Sequence, residues 1–420
     1  MAGSAEMRVL HVAQFAGLGG IETYVPGLLA ALEDRGHENV VAYSGPEPAG
    51  FHTIGRNVEE FPDVTDPSPA AGRQLSQRVL RIVHTSSPDL VFFHAPPNPM
   101  LARALLGALP SVYFAHNYGA ICASGALFYR RKDVVCELAG TPDWRCLVNA
   151  YVQQCNTRRP SRLVKLYRFS RRTNEWLRNI DRIVCDSRYV AGRYEANGYP
   201  QARLRVLGTP VVLPSLDGVL STSRERAVLF VGRVTPHKGL DYLMRAVAHI
   251  QCRLIVAGDG YALPRMRSLA AELGIAHRVD FLGAVDRLTV DNLYARSAVL
   301  AVPSVWPEPW GLVGPEAMAH ALPVVAFRVG GIPEWLNDGE TGFLVEPKDM
   351  AGMAARISDL VDDTMLARRL GENGRAVAEQ RFNFERHVDG LLDVFREAIA
   401  ARSGPAGPAI AISARSQTVT

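Results

Sequence analysis

Two glutamates and two cations, held in short Gly- and Pro-bounded segments, are the side chains of this sequence best spaced to do chemistry. Glu308 lies in the turn Pro307-Glu-Pro-Trp-Gly311, and Glu316 follows about two turns later in an Ala-rich stretch that reads as a helix. The backbone N–H groups of Gly311, Leu312 and Val313 are then the unpaired donors of a helix start, which suit a phosphate. Upstream, Gly232-Arg-Val-Thr-Pro-His-Lys-Gly239 sets Arg233 and Lys238 in a loop after the apolar strand 227–231. A guanidinium there can grip a diphosphate through two N–H groups, and an ammonium adds a point charge. Each segment alone has a plainer reading, as a solvated helix end or a basic turn. Combined, they describe a pocket for a sugar hydroxyl, a diphosphate and a ribose.

The elements that must position these groups alternate short apolar strands with helical segments, the pattern of parallel sheets covered on both faces. Strands are predicted at 8–13, 40–43, 90–93, 112–115 and 182–185 in the first half. In the second half they are predicted at 228–231, 253–257, 279–282, 299–302 and 323–326. The fold class is therefore α/β, two Rossmann-like domains, with the active site expected in the crevice beyond the strand carboxyl ends. The periodicity breaks at 208–214 and in the polar stretch to Arg226, which marks the hinge. The expected division is a first domain over 1–210 with an insertion near 118–157, a second over 211–384, a helix over 385–402 and a disordered tail over 403–420.

Several further segments complete a resemblance: Val256-Ala-Gly-Asp-Gly260, Val279-Asp-Phe-Leu-Gly283, Gly330-Gly-Ile-Pro-Glu334, Gly339-Glu-Thr-Gly-Phe343, Gly19-Gly-Ile-Glu22 and Asp186-Ser187. With the loops around Arg233, Lys238, Glu308 and Glu316, the chain resembles the family 4 glycosyltransferases (group 1 glycosyl transferases). These are retaining enzymes with two facing Rossmann-like domains, the glycosyltransferase-B (GT-B) fold. The resemblance covers nearly the whole chain and is most specific between residues 227 and 346. It implies transfer of a sugar from a nucleoside-diphosphate-sugar co-substrate to a hydroxyl acceptor, with no cofactor. By the same resemblance Arg233 and Lys238 stabilise the departing diphosphate, Glu308 binds sugar hydroxyls, Glu316 takes the ribose and His116 contacts the transferred sugar. The last helix returns to the first domain. The chain contains no Asp-x-Asp pair, so no metal-held diphosphate is expected.

The first domain is expected to supply the acceptor side. Gly17, Gly19 and Gly20 follow the first strand and let a ligand approach backbone N–H groups near Ile21. Their spacing lacks the full dinucleotide fingerprint, which argues against a dehydrogenase. His94 and His116 each follow a strand, and His94 is read as structural. The nucleobase is expected against the loop after Gly283, with Gly330 and Gly331 read either as further donors to that pocket or as a plain turn. Trp306 and Trp310 flank Glu308 as pocket walls or as core aromatics.

Four of the six cysteines, Cys122, Cys136, Cys146 and Cys155, fall in the 118–157 insertion. Four thiolates could hold a structural zinc, but no close Cys-x-x-Cys pair occurs and buried or loop thiols are the preferred reading. The run 158–182 carries nine Lys/Arg against Glu175 and Asp181, interleaved with apolar residues. It suits an anionic membrane surface or an anionic lipid-linked acceptor, and equally a solvated face over the core.

With 420 residues, 48% apolar content and a net charge of +4, the chain has room for two cores and no charge excess that calls for nucleic acid. No apolar run approaches the roughly 18 residues of a membrane span and the start lacks a secretory pattern, so a cytoplasmic protein, peripheral on the inner membrane face through 158–182, is expected. Arg and Ala content suggests a bacterial source, with surface polysaccharide or lipid-linked glycan synthesis as the role and a small natural product as the alternative acceptor. A nucleotide-sugar epimerase and a non-catalytic nucleotide or nucleic-acid binding module are the competing classes.

Overall fold

A computed structural model describes residues 6–15, 20–47, 57–61, 68–138, 142–215 and 224–403. Gly17, Gly19 and the tail beyond Ser403 lie outside the described residues. Fifteen strands occur among those described: β1 Arg8–Gln14, β2 Glu38–Ser44, β3 Asn57–Glu60, β4 Leu90–Phe93, β5 Ser111–Ala115, β6 Phe128–Tyr129, β7 Val134–Val135, β8 Arg182–Cys185, β9 Leu204–Val206, β10 Glu225–Val231, β11 Arg253–Ala257, β12 Val279–Gly283, β13 Ser297–Val302, β14 Val324–Phe327 and β15 Gly342–Val345.

They form a seven-stranded sheet ordered β3-β2-β1-β4-β5-β8-β9 and a six-stranded sheet ordered β12-β11-β10-β13-β14-β15, with β6-β7 a separate hairpin. Both large sheets are parallel throughout. Central strands such as Leu90–Phe93 and Ser297–Val302 are buried along their whole length, because helices cover both faces of a parallel sheet. In each sheet the strand order reverses beside the first strand of that half, between β1 and β4 and between β10 and β13. A reversal of this kind opens a crevice at the strand carboxyl ends. The architecture is α/β with two Rossmann-like halves, the GT-B arrangement.

β3, β9 and β15 were not anticipated, and each is the edge of its sheet. Asn-Val-Glu-Glu and Leu-Arg-Val carry too few apolar residues for a strand pattern, and β15 hides in the Gly-rich run 339–343.

Two segments cross between the halves. The helix Phe384–Ser403 packs Val388, Leu391, Phe395 and Ala398 into the core of the first sheet with Val9, Val25, Phe92 and Phe114. Arg182 and Arg205 hold its Glu397 at 2.8 and 2.7 Å. In the opposite direction, Phe128 leaves the first half and lies buried in the apolar cluster of the second, with Phe230, Leu240 and Phe327. Nearby, Asp133 accepts from Tyr242 Oη at 2.7 Å and pairs with Lys348 Nζ at 3.0 Å.

The run 158–182 forms the helix Pro160–Leu177. Leu163, Trp176 and Leu177 face the core, while Arg162, Lys165, Arg168, Arg171 and Arg172 are exposed. Among the described residues, no helix is long and apolar enough to cross a membrane.

Candidate active site between the two sheets

The loop after β10 ends in the tight turn Pro236–Lys238, closed by Gly239 at φ 71°. A Cβ on Gly239 would stand 1.9 Å from the Pro303 carbonyl oxygen, so glycine alone lets this loop lie against the segment after β13. That approach brings Lys238 Nζ to 2.6 Å from Glu308 Oε1 and 5.0 Å from the centroid of the Trp306 ring. Glu308 is only 4% exposed, and a carboxylate so buried requires a charged partner. Arg233, exposed at the start of the same loop, pairs with no carboxylate among the described residues.

The backbone around Glu308 is fixed from both halves of the molecule. Tyr118 Oη donates to the Pro307 carbonyl at 2.6 Å, and Ser187 Oγ donates to the Pro309 carbonyl at 2.7 Å. The Gly331 N–H donates to the Glu308 carbonyl at 2.8 Å, and Trp335 Nε1 donates to the Trp310 carbonyl at 2.6 Å. Four successive carbonyls therefore each have a donor, two from either half. Trp306 Nε1 adds a bond to the Ala126 carbonyl of the insertion. Gly331 spends its N–H on this loop, which corrects the expectation that it donates to a base. Gly330, at φ 56°, would place a Cβ 2.2 Å from the Glu308 carbonyl oxygen, so its role is close backbone packing. The two tryptophans separate: Trp306 stands at the site, whereas Trp310 is buried in the second core against Phe382.

The helix that carries Glu316 is short, Val313–Ala319. Its bonding begins with Gly314 N–H to Gly311 O and Glu316 N–H to Leu312 O; Gly311 and Leu312 precede it and Val313 is its first residue. Gly20 opens the helix Gly20–Glu33 against this point, and a Cβ there would lie 3.2 Å from Leu312 Cδ2. Gly283 ends β12 at φ 72° with open space beside it.

Glu316 is buried and engaged. Arg287 forms an ion pair with its Oε1, and Tyr294 Oη donates to Oε2 at 3.1 Å. Burial alone would lower the Arg287 guanidinium, but Glu316 and Asp291 beside it hold its pKa above the ordinary value. A carboxylate accepts about four hydrogen bonds, so Glu316 keeps capacity for a diol. A small hollow opens there, between Tyr24, Val211 and Phe384 on one side and Arg287, Leu312 and Glu316 on the other. Arg287 and Tyr294 carried no signal in the sequence, where they read as an ordinary polar helix face.

His116 does not join Glu308, Lys238 or Glu316 through any contact among the described residues. Its ring lies 4.0 Å from Phe114 and 5.2 Å from Tyr24, and its Nε2 is buried without a partner. Burial, with His387 nearby, lowers its pKa to about 3, so it is neutral. His94 is buried beside it, 3.0 Å from His11, which bonds Asn39 at 3.0 Å. The Asn39 amide nitrogen already donates to Leu29 O, so Asn39 Oδ1 accepts from His11 and His94 donates to His11 Nδ1. Tyr24 Oη bonds His387 Nε2 at 2.8 Å, tying this cluster to the returning helix. Asp186 accepts from Thr209 Oγ1 at 2.5 Å, and burial raises its carboxyl to about 7.

Cys122, Cys136, Cys146 and Cys155 line one small hollow with Tyr129 and Asn149. Burial raises the Cys146 and Cys155 thiols to about 11 and about 12, which keeps them protonated. Among the described residues, no three His, Cys, Asp or Glu side chains are grouped to hold an ion.

Comparison with known proteins matches residues 18–213 to the Glycosyltransferase Family 4 model and residues 217–377 to the Glycosyl transferases group 1 model. An uncharacterized glycosyltransferase of Methanocaldococcus jannaschii is 32% identical over 179 residues, 42% of this chain and 46% of that protein. A D-inositol 3-phosphate glycosyltransferase of Mycobacterium marinum is 41% identical over 187 residues, 42% of this chain and 39% of that protein. The match thus spans less than half the length of either relative. The crystal structure of Anabaena Alr3699/HepE in complex with UDP shares the fold, with a TM-score of 0.66 and 21% identity over 93% of this chain and all of that one.

Proposed function

Because this chain belongs to the family 4, group 1 glycosyltransferases, we propose that it moves a sugar from a nucleoside diphosphate to an acceptor hydroxyl, with retention of anomeric configuration and without a metal ion. The observation that carries this reading is the ion pair of Lys238 with the buried Glu308, with Arg233 on the same loop as Lys238 and Gly311 packed against Glu308. Glu308 accepts hydrogen bonds from sugar hydroxyls. Lys238 balances Glu308 until the donor is bound and then turns toward the diphosphate as negative charge develops on it. Arg233 closes on the same diphosphate, replacing a metal. Glu316, oriented by Arg287 and Tyr294, takes the ribose diol, and the base lies beyond Gly283. Neutral His116 contacts the sugar from the first half.

UDP in the related fold favours a UDP-sugar donor. The acceptor is a lipid-linked glycan or surface polysaccharide of a bacterium, reached at the inner face of the membrane, where the exposed cations of Pro160–Leu177 meet anionic lipid. A small phosphorylated polyol is the second reading, favoured by the name of the Mycobacterium marinum relative.

Thermal stabilisation by UDP-, GDP-, ADP- and TDP-sugars in the presence of EDTA tests the donor site. The expected result is selective stabilisation by one nucleotide, lost in Glu316→Ala and in Arg233→Ala. No stabilisation by any of them overturns it, and release of an altered nucleotide-sugar without acceptor points to an epimerase.

A further inference from the structure

The helix Trp144–Val152 turns its apolar residues outward. It buries only Ala150, whereas Trp144 is 68% exposed, Val148 and Tyr151 47% each, and Val152 45%. These four positions fall at i, i+4, i+7 and i+8, which is one face of a helix. Nine residues capped by Asp143 hold a helix weakly unless an apolar surface covers that face. Val134 in the hairpin and Val164 in the next helix are exposed as well.

A rim of cations surrounds this face. Arg130, Arg131 and Lys132 are exposed at the hairpin turn, and the Arg131 N–H donates to the Gln153 carbonyl at 3.1 Å, at the end of the helix. Arg158, Arg159, Arg162 and Lys165 are exposed where the next helix begins, and Tyr151 Oη donates to the Arg158 carbonyl at 3.2 Å. Of the nearby acids, Asp143 is paired with Arg145 and Asp133 with Lys348, while Glu137 is exposed.

We propose that this face is an interfacial anchor for an anionic lipid bilayer, with the helix Trp144–Val152 lying in the headgroup region and Trp144, Val148, Tyr151 and Val152 reaching the acyl boundary. The cations then contact lipid phosphates at the same depth. An exposed tryptophan with valines suits that boundary, where one side is apolar and the other wet. A second copy is a poor partner, since a two-fold contact would set one basic rim against the other. Nucleic acid would use the cations and leave the valines uncovered.

The anchor rests on the membrane-facing reading of Pro160–Leu177 given above, and separate variants test the two. The full chain is sedimented with vesicles of phosphatidylcholine containing phosphatidylglycerol, and with phosphatidylcholine alone. Wild type is expected to bind the anionic vesicles with a blue shift of tryptophan fluorescence. Trp144→Ser/Val148→Ser/Tyr151→Ser/Val152→Ser is expected to lose both, with binding weakened at least about tenfold. Its response to nucleotide-sugars should match wild type, and its melting temperature should fall only slightly, because these residues are exposed and Tyr151→Ser gives up one exposed hydrogen bond to the Arg158 carbonyl. Arg158→Gln/Arg159→Gln/Arg162→Gln/Lys165→Gln is expected to lose the preference for anionic lipid. If the serine variant binds as well as wild type while the glutamine variant does not, the anchor is wrong and the electrostatic surface stands. If wild type ignores vesicles, or binds a DNA duplex in their place, both are wrong.

Discussion

Lys238 and Glu308 meet at 2.6 Å inside the cleft although 70 residues separate them in the chain. Each half of the pair sits on a loop that could not be there without a glycine, Gly239 under one and Gly330 under the other. Removing Lys238 strands the buried Glu308 carboxylate. Lys238→Met should therefore lower stability by about 3 kcal/mol and kcat by roughly 100- to 1000-fold. Glu308→Gln added to it should restore much of the stability and none of the turnover. A four-member cycle of melts and rates checks this, and additive stability losses would refute the pairing.

Arg287 orients Glu316 and is itself only partly buried. Arg287→Ala should weaken nucleotide binding about tenfold, or about 1.4 kcal/mol, read by calorimetry with UDP. Tyr294→Phe removes one hydrogen bond to the same carboxylate and should have a smaller effect in the same direction. Unchanged affinity in both would detach Glu316 from the nucleotide.

The carbonyls of Pro307 and Pro309 are held by Tyr118 and Ser187, side chains assigned no contact with donor. Tyr118→Phe and Ser187→Ala should each cost about 1 kcal/mol in stability. If these bonds set the position of Glu308, each variant should also lose several-fold in kcat/KM. Stability loss with normal kinetics would reduce them to plain packing.

Acid should destabilise the protein steeply. Burial lowers His11 to about 4 and His116 and His387 to about 3, and lowers His94 well below its ordinary value. A group whose folded pKa is depressed contributes stability above its unfolded value near 6.5 and loses it as pH falls toward the folded value. Each histidine can contribute a slope of about 1.4 kcal/mol per pH unit over that window. Asp186 works in the opposite sense: its folded pKa of about 7 exceeds the unfolded value, so its contribution is full below about pH 4 and lost as pH rises to 7. Four groups outweigh one, and urea melts should show stability falling from pH 6.5 to pH 4. Asp186→Asn removes the opposing term and should steepen that fall by about 1.4 kcal/mol per pH unit.

Much of this site was legible because it rests on local chemistry. Glycines beside charged residues, after apolar strands, announce loops that face a ligand, and Glu308, Lys238 and the amides of 311–313 followed from that. Bonds from a side chain to a distant carbonyl leave no local trace, so the donors Tyr118, Ser187 and Trp335 were invisible as such. Arg287 was hidden because a surface arginine and one that turns inward to a carboxylate have the same sequence signature. Of the strands that escaped, β3, β9 and β15 are edges with one neighbour to satisfy, which need less of the continuous apolar run that marks a central strand, and β6 and β7 are two-residue strands of a separate hairpin, too short for any pattern.

The helix Phe384–Ser403 is synthesised after both sheets, yet it completes the core of the first. β9 ends at Val206 and this helix begins at Phe384, so at ordinary elongation rates of about 5–20 residues per second roughly 9–36 s pass between the end of the first sheet and the helix. Through that interval the nascent first half carries Val9, Phe92, Val112 and Phe114 without their final cover. The part of the molecule made first is thus finished last, and the growing chain presents a chaperone with a defined apolar surface until Phe395 arrives.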